Sequence, residues 1–306
     1  MPERLKVALV GIGKIAVDQH VPSINASDDW ELAATVSRSG TVDGVPSYTD
    51  LDTMLAENPD IGVVSLCLPP VPRFDYAATC LRAGRHVMLE KPPGATLAEV
   101  HTLEQMAKDA GKTLFATWHS RMAKGVQAAK AALAGKTIES GQIMWKENVR
   151  HWHPGQDWVF ESGGMGVLDP GINALSIMTE VLPDNVHLKK AVLQIPENRQ
   201  TPIKANMTFT DNISAEFQWL HDGLPMWEMT FSTTDDDLVY VMEGGNECVV
   251  NDMDVPGSDL DEYPALYARM ADLVRSGQSD VDLSPLVHVS DIMTLGRRVI
   301  APAFEW

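Results

Sequence analysis

Two separate segments of the chain hold polar side chains whose types and spacing suit chemistry on a small molecule. Glu90, Lys91 and Pro92 follow an apolar run, so a carboxylate and an ammonium stand side by side there. An ammonium can stabilise a developing alkoxide, and a lysine can act as a base where burial or a neighbouring cation lowers its pKa. Asp169 and Asn173 are four residues apart, so in a helix both lie on one face and can address the same ligand. A plain helix start with a tolerated polar position is the alternative interpretation of this second pair.

A glycine-rich segment follows the first apolar run of the chain. In a strand-turn-helix unit, the first glycine of GxGxxA permits a tight turn, and the second lets the backbone approach a pyrophosphate. The alanine, here Ala16, keeps the helix close to the strand. The helix start attracts the anion through its unpaired N–H groups and its dipole. The sequence therefore predicts a dinucleotide site that includes Gly11, Ile12, Gly13, Lys14 and Ile15.

Ser37 and Arg38 occupy the position that decides which nicotinamide dinucleotide is bound. NAD-selective sites usually carry Asp or Glu there, about 20 residues past the glycines, to bind the ribose 2′-hydroxyl. Arginine forms paired, charge-assisted hydrogen bonds with phosphate oxygens, so a serine beside an arginine suits a 2′-phosphate. We therefore expect NADP, with NAD as an alternative, and a solvated loop arginine is the other interpretation of Arg38. Pro69, Glu90 and Lys91, each at the end of a predicted strand, complete the predicted cofactor site.

The elements that must position these residues follow from the hydrophobic pattern. Up to about residue 120, short apolar runs alternate with amphipathic segments, which is typical of βαβ units around a parallel sheet. Thr96 and Glu99 form a capping-box pattern that predicts a helix start just after Gly94. The sequence thus predicts an α/β Rossmann domain over residues 1–120. Its expected strands span 5–10, 32–36, 61–68, 86–89 and 113–117.

The pattern changes beyond residue 121, where strand-like stretches follow one another with few helices between them. This change predicts a second domain over 121–306, an α+β domain with a largely antiparallel open sheet. One helix begins near 164–169 and ends before Pro183. Two last helices, over about 263–275 and 286–299, could pack back on the first domain. The expected strands span 138–149, 186–195, 203–209, 213–219, 226–231 and 238–242.

The composition excludes several classes of protein. The formal net charge is −18, whereas proteins that follow a phosphate backbone need clustered Lys and Arg, so no nucleic-acid partner is expected. Cys67, Cys80 and Cys248 lack metal-ligand spacing, so neither a disulfide nor a bound metal is expected. No apolar stretch approaches the ~20 residues that span a bilayer, and the first residues leave no room for a signal peptide. We therefore expect a cytoplasmic protein without a membrane partner.

The GxGxxA turn, followed much later by Glu90-Lys91-Pro92, resembles the glucose-fructose oxidoreductase, inositol dehydrogenase and MocA (Gfo/Idh/MocA) superfamily. The likeness covers essentially the whole chain and implies an active site where the two domains meet. It also implies that Lys91 lies near the nicotinamide, with a peptide bond to the following proline that is often cis. The segment 163–173 matches as well, although many members carry His or Lys where this chain has Asn173. Because an amide cannot act as a base, this departure shifts proton transfer toward Lys91, Asp169 or another nearby group.

The segment 145–156, WKENVRHWHPGQ, resembles the bacterial L-arabinose 1-dehydrogenases, which also oxidise D-galactose. Residues 90–96 and 115–121 match the same subfamily. Sugars present hydroxyl groups and apolar C–H faces, which carboxylates, amides, imidazoles and indoles can bind. For any single residue, a loop histidine or a core aromatic remains the ordinary interpretation. The resemblance implies a sugar site formed by Lys91, Glu147, His153, Asp169 and Asn173, with His119 and Trp152 as weaker candidates.

By this resemblance the chain is expected to be an aldose 1-dehydrogenase that converts the sugar into an aldonolactone. Lys91 with Asp169 is predicted to handle the proton of the C1 hydroxyl, and His153 is the second candidate base. The alternatives are another sugar or polyol dehydrogenase of the superfamily, such as an inositol dehydrogenase, and a nucleotide-binding regulator without turnover. L-Arabinose and D-galactose differ by a hydroxymethyl group, so pocket depth decides between them. A homodimer is compatible with the expected open sheet.

Overall fold

The computed structural model describes residues 3–306, which divide into two compact units. The first unit contains residues 3–119 together with Glu262–Leu283. The second unit contains Ser120–Asp261 together with Ser284–Trp306. Among the described residues, no helix combines the length and the apolar character that crossing a bilayer requires.

A six-stranded parallel sheet forms the centre of the first unit. Its strands are β1 Leu5–Val10, β2 Trp30–Val36, β3 Ser47–Tyr48, β4 Val63–Leu66, β5 His86–Leu89 and β6 Leu114–Ala116. They are ordered β3-β2-β1-β4-β5-β6. All residues of β4 and almost all of β5 are buried, as expected for covered strands of a parallel sheet. Because the strands run in one direction, their carboxyl ends, where open α/β sheets bind ligands, lie at one edge.

Nine α-helices lie among the described residues, and the start of one of them follows from a local sequence signal. The helices are α1 Val21–Ala26, α2 Leu51–Glu57, α3 Pro70–Arg82, α4 Leu97–Ala110, α5 Val126–Leu133, α6 Val149–Trp152, α7 Leu168–Val181, α8 Glu262–Ser276 and α9 Ser284–Leu295. A π-helical turn, Ala16–His20, leads directly into α1. The predicted capping box at α4 is confirmed, since the Thr96 hydroxyl accepts from the Glu99 N–H at 3.3 Å.

A nine-stranded mixed sheet forms the centre of the second unit. Its strands are β7 Ile138–Lys146, β8 Leu188–Pro196, β9 Lys204–Phe209, β10 Ile213–Gln218, β11 Met226–Thr233, β12 Leu238–Met242, β13 Glu247–Val250, β14 Met253–Asp254 and β15 Arg297–Ala301. They are ordered β14-β13-β12-β11-β7-β10-β9-β8-β15. The pairs β7 with β10 and β8 with β15 are parallel, and the other pairs are antiparallel.

Helix α7 packs closely on this sheet because a glycine faces it. A Cβ at Gly171 would come within 2.3 Å of Cδ2 of Phe217, so any larger residue would force the helix away from β10. The residues of β10 alternate between buried and half-buried, which is the pattern of a strand with one covered face. The close contact fixes the position of the helix that carries Asp169 and Asn173.

The predicted α/β Rossmann domain and the largely antiparallel second sheet are both confirmed. One element is wrong: the sequence predicts a helix over 286–299, but α9 ends at Leu295 and the strand β15 follows it. Gly296 explains the change, since a Cβ there would lie 2.5 Å from the Ile292 oxygen and 2.8 Å from Cδ1 of Leu193. The glycine ends the helix, and the β-branched Val299 and Ile300 then pair with β8.

Candidate active site

The glycine-rich turn after β1 is shaped for close approach between backbone and ligand. Gly11 has a φ of +91°, and a Cβ there would lie 3.0 Å from Cδ2 of Leu68. A side chain at this position would therefore be strained. A Cβ at Gly13 would meet no atom within 4 Å, so this part of the turn is open. The Val17 N–H donates to the Gly13 oxygen at 3.1 Å, so the helix begins at the turn and its first N–H groups are available to an anion.

The loop that contains Ser37 and Arg38 lies directly beside the glycine-rich turn. A Cβ at Gly40 would come within 2.3 Å of the Ile12 oxygen, so the two loops are in close contact. The Ser37 hydroxyl accepts a hydrogen bond from the Gly40 N–H at 3.1 Å, which holds the loop in place. Arg38 is exposed. The residues present thus fit a dinucleotide whose pyrophosphate and ribose occupy neighbouring loops.

The remaining predicted cofactor residues lie at the same edge of the first sheet. Lys14 forms an ion pair with Asp18 on the next helical turn, and Ile15 is 39% exposed. Pro69 follows β4 and immediately precedes α3. Since parallel strands end at one edge, Pro69 and Glu90 lie on the side of the sheet that carries the glycine-rich turn.

Glu90 is a buried carboxylate with hydrogen bonds to both of its oxygens. Its Oε1 accepts from the Tyr263 hydroxyl at 2.8 Å and lies 3.0 Å from Nε2 of His20. Its Oε2 accepts from the backbone N–H of Lys91 at 2.8 Å. Burial alone would raise the pKa of this carboxyl, but the bonds from His20 and Tyr263 hold the pKa well below its ordinary value of 4.5. The carboxylate is therefore ionised. It fixes the start of the turn formed by residues 90–92, which we call the lysine turn.

His20 is the last residue of the π-helical turn that follows the glycine-rich turn, and it is 0% exposed. Its Nδ1 lies 2.8 Å from the Tyr267 hydroxyl, and its ring meets the Tyr263 ring edge-on at 5.0 Å. Burial alone would lower the pKa of this imidazole, but its contacts with Cys67, Tyr267 and Glu90 raise the pKa well above its ordinary value of 6.5. The histidine is therefore the buried cation that balances the Glu90 carboxylate.

Arg73 holds the lysine turn from the other side. This side chain of α3 is 2% exposed and donates hydrogen bonds to the backbone oxygens of Leu68, Glu90 and Pro92. The peptide bond between Lys91 and Pro92 is cis, as the resemblance implies. One guanidinium thus joins the ends of β4 and β5 and fixes the backbone that presents Lys91.

His119 belongs to the same group of side chains in the first unit. Its Nδ1 lies 3.0 Å from Oε2 of Glu262, and its ring is stacked on Tyr263 at 5.6 Å. Burial alone would lower the pKa of His119, but the Glu262 carboxylate raises it above 6.5, against a smaller opposing effect of Lys91. The predicted residues Glu90, Lys91 and His119 are therefore close together.

In the second unit, Asp169 and His153 form a polar pair. Asp169 lies in the first turn of α7 and is 6% exposed. Nε2 of His153 lies 3.5 Å from Oδ2 of Asp169. Asn173 follows one helical turn later on α7 and is half-buried. The helix thus places a carboxylate next to an imidazole, with an amide one turn further along the same helix.

Glu147 is a second buried carboxylate of this unit, and two tryptophans hold it. Its Oε1 accepts from the Trp219 indole N–H at 3.1 Å, and its Oε2 accepts from the Trp227 indole N–H at 3.0 Å. The Trp219 ring also contacts His153, with the ring centres 5.6 Å apart. A continuous chain of contacts therefore leads from Asp169 through His153 and Trp219 to Glu147.

Trp152 supplies an accessible aromatic face next to this cluster. It is 38% exposed, and its ring lies 5.7 Å from that of Trp227. An indole beside carboxylates can cover the C–H face of a sugar while the polar groups bind its hydroxyls. Sequence reasoning predicted Trp152 but missed Trp219 and Trp227, which it assigned only to strands. Nothing local in the sequence indicated that they meet Glu147, because Trp219 is 72 positions and Trp227 is 80 positions away from it.

Among residues 3–306, no group of three or more His, Cys, Asp or Glu side chains is placed to hold a metal ion. Sequence reasoning also missed His20, Arg73, Tyr263 and Tyr267. Nothing local marks these residues, because each acts on a partner far away in the chain.

Comparison with known proteins places this arrangement in a family. The family described as "Oxidoreductase family, NAD-binding Rossmann fold" (GFO_IDH_MocA) matches residues 5–117. Galactose 1-dehydrogenase from Pseudomonas fluorescens is 36% identical over 307 positions, which cover 98% of each chain. The chain belongs to the Gfo/Idh/MocA oxidoreductase family. It is therefore an oxidoreductase, and the predicted nicotinamide dinucleotide cofactor agrees with the family.

Solved structures show the same fold over the whole length. The crystal structure of a D-galactose-1-dehydrogenase from Rhizobium etli matches with a TM-score of 0.94 and 48% identity, covering 100% of this chain and 99% of that chain. A 3-ketoreductase from Actinomadura kijaniata, in complex with TDP-benzene and NADP, matches with a TM-score of 0.83 at 20% identity, covering 98% and 100%. The second likeness shows the fold alone.

Proposed function

We propose that the protein is an aldose 1-dehydrogenase that oxidises C1 of D-galactose, L-arabinose or both. The observation that carries the proposal is the cluster of Asp169, His153 and Glu147 with its tryptophans. Two carboxylates, an imidazole and indole rings within one set of contacts match the hydroxyl groups and apolar face of a pyranose. The galactose 1-dehydrogenases that resemble the chain along almost its whole length support the same substrate class.

The proposal gives each polar group a role in removing two hydrogens from C1 and its hydroxyl. Bound NADP would supply the acceptor for the C1 hydride. Lys91 stabilises the negative charge that develops on the C1 oxygen, and Lys91 with Asp169 handles the hydroxyl proton. His153 is the second candidate for that proton. The sugar then leaves as the aldonolactone.

The other predicted residues orient the sugar in this proposal. Glu147 and Asn173 bind ring hydroxyls, because a carboxylate accepts and an amide both donates and accepts. Trp152 covers a C–H face, and His119 is a further polar contact on the side of Lys91. The hydrogen bonds from Trp219 and Trp227 engage both oxygens of Glu147, so the carboxylate is held in one orientation.

The cofactor is proposed to be NADP, with NAD as an alternative. The turn formed by residues 11–15 would hold the pyrophosphate, and Ser37 and Arg38 would hold the 2′-phosphate. The close contact between Gly40 and Ile12 supports this assignment, since it brings the loop that carries the exposed Arg38 against the turn. A cytoplasmic location and a homodimer stay predictions from the sequence.

Kinetics with a panel of aldoses, NADP and NAD test this proposal directly. We expect reduced cofactor, visible by its near-ultraviolet absorbance, with D-galactose and L-arabinose, and a higher kcat/KM with NADP than with NAD. The product should be a lactone that hydrolyses to the aldonic acid. A ketose-like product would point instead to an inositol-type dehydrogenase. Absence of turnover with every sugar and both cofactors would contradict the proposal and favour a regulator.

A further inference from the structure

The turn after α6 contains a hydrogen-bond arrangement that fixes the orientation of a glutamine amide. The indole N–H of Trp158 donates to Oε1 of Gln156 at 3.1 Å. An indole nitrogen can only donate, so the atom it meets must be the amide oxygen and not the amide nitrogen. The amide oxygen and the amide nitrogen of Gln156 are thereby assigned from the hydrogen bond itself.

The same glutamine oxygen lies 3.3 Å from Nδ1 of His153. A carbonyl oxygen can only accept, so Nδ1 must carry the hydrogen of this bond. The backbone keeps the two side chains together, because the Gln156 N–H donates to the His153 oxygen at 3.1 Å and the His153 N–H donates to the Val149 oxygen at 2.8 Å. In the neutral imidazole, the remaining nitrogen Nε2 then has a lone pair and no hydrogen.

That lone pair faces a second acceptor. Nε2 of His153 lies 3.5 Å from Oδ2 of Asp169, the charged group on α7 that faces the imidazole. The indoles of Trp158 and Trp219 approach the ring from the turn and from the end of β10, with ring centres 6.3 Å and 5.6 Å away. Two acceptors cannot bond each other directly, so a neutral imidazole and an ionised carboxylate are suited to share a group that carries O–H.

We propose that Gln156 is a positioning residue that keeps the hydrogen of His153 on Nδ1, so that Nε2 accepts a hydrogen bond from a sugar hydroxyl. Trp158 acts one step further away by holding the Gln156 oxygen in place. The inference rests on the proposed function, since it names how the sugar is bound there.

The tautomer can be measured directly, without turnover. Nitrogen NMR of the ¹⁵N-histidine-labelled protein separates a protonated from an unprotonated ring nitrogen, and His153→Gln identifies the signals of this residue. The proposal expects Nδ1–H in the wild type and a mixture of both tautomers in Gln156→Leu. A wild-type His153 that carries its hydrogen on Nε2 would overturn the proposal.

Kinetics then test whether the tautomer matters for the sugar. Gln156→Leu should lower kcat/KM for the sugar about tenfold, mainly through KM, with the affinity for NADP unchanged. Gln156→Glu, whose carboxylate still accepts from Nδ1, should keep the hydrogen on Nδ1 and raise the KM less than Gln156→Leu does. Trp158→Phe keeps an aromatic ring but removes the N–H that holds the Gln156 oxygen. It should lower kcat/KM for the sugar in the same direction as Gln156→Leu, but by less. Gln105→Leu, on the exposed surface of α4, is the matched control and should change nothing.

The outcomes separate this inference from the proposed function. If the wild type oxidises aldoses but Gln156→Leu keeps the wild-type KM for the sugar, the inference is overturned while the dehydrogenase assignment stands. If no aldose is oxidised, the proposed function fails, and the NMR measurement still decides the tautomer of His153. Melting temperatures of all variants confirm that they remain folded.

Discussion

The imidazole of His20 and the carboxylate of Glu90 form a buried ion pair, with Nε2 and Oε1 3.0 Å apart. His20 ends the π-helical turn after the glycine-rich loop, whereas Glu90 begins the turn that presents Lys91. The pair therefore connects the proposed pyrophosphate site to the proposed reacting lysine inside one unit. Tyr263 and Tyr267, one helical turn apart on α8, complete the hydrogen bonds of both partners.

This pair should make stability depend on pH in a defined window. The pKa of His20 is raised, so its contribution is fully present below its ordinary value of 6.5 and is lost as the pH rises through the raised value. The pKa of Glu90 is lowered, so its contribution is fully present above 4.5 and is lost as the pH falls through the lowered value. The pair should therefore stabilise the fold most between these two ordinary values.

His20→Gln should lower the free energy of unfolding by about 3 kcal/mol near pH 6, because it leaves a buried carboxylate uncompensated. It should also remove much of the loss of Tm that we expect for the wild type as the pH rises above 6.5, because the pKa of His20 is raised. Thermal unfolding over a range of pH measures both effects. His101→Gln, at an exposed position of α4, is the control. Parallel Tm curves for wild type and His20→Gln would show that the pair does not set the pH dependence.

Lys91→Met and Asp169→Ala should each reduce kcat by about 100-fold or more, because proton handling and charge stabilisation at the C1 oxygen are lost. The dissociation constant of NADP should change by much less. Lys108→Met and Asp109→Ala, both exposed on α4, are the matched controls. Steady-state kinetics together with NADP titrations separate the two effects. Near-normal kcat values in both variants would remove these residues from the mechanism.

Arg38→Ala should raise the KM for NADP at least tenfold and leave the KM for NAD almost unchanged, because only NADP carries the 2′-phosphate. Arg38→Lys should fall between wild type and alanine, since it keeps the charge but loses the paired geometry. Arg82→Ala, at an exposed position of α3, serves as the control. An equal loss for both cofactors would mean that Arg38 does not select between them.

The parts of this molecule that the sequence predicts are those set by neighbouring residues. The glycine-rich turn, the capping box of α4 and the lysine turn each arise from residues a few positions apart, and the strand pattern of the first sheet follows from short apolar runs. Glu90 was predicted, but its partners were not, because His20 is 70 positions away and Tyr263 is 173 positions away. Such pairs leave no local pattern in one sequence.

Arg73 shows a second limit. An arginine in an amphipathic helix is normally solvated, so its type and spacing predict a surface position. Here it is 2% exposed, because three backbone oxygens at the ends of two strands replace water around its guanidinium. The sequence contains no sign of those oxygens, since they belong to the backbone. Only the fold brings them together.

Trp227→Phe should raise the KM for the sugar about fivefold with little change in kcat, because one oxygen of Glu147 loses its indole donor and the carboxylate is no longer fixed. Trp145→Phe is a sharp control, since the buried Trp145 N–H has no hydrogen-bond partner among the described residues. The two tryptophans are cross-strand neighbours on β7 and β11. Equal effects of the two substitutions would show that ring packing, not the hydrogen bond to Glu147, is responsible.

The end of the chain packs on the turn that carries His153. Phe304 is 3% exposed; its ring lies 5.0 Å from that of Phe160, and the Arg150 guanidinium lies over it at 4.8 Å. The indole N–H of Trp306 donates to Oδ1 of Asp157 at 2.8 Å. These contacts hold α6 and the turn formed by residues 157–160, which lie on either side of His153.

Phe304→Ala should therefore destabilise the protein by about 3 kcal/mol and raise the KM for the sugar, while the affinity for NADP stays the same. Trp306→Phe, which keeps the ring and loses only the exposed hydrogen bond to Asp157, should lower stability much less than Phe304→Ala. Urea unfolding and sugar kinetics measure the two effects, and Ile300→Ala, 80% exposed on β15, is the control. If Phe304→Ala lowers stability but leaves the KM for the sugar unchanged, His153 keeps its position without this contact. The last residues would then contribute to the stability of the fold and not to sugar binding.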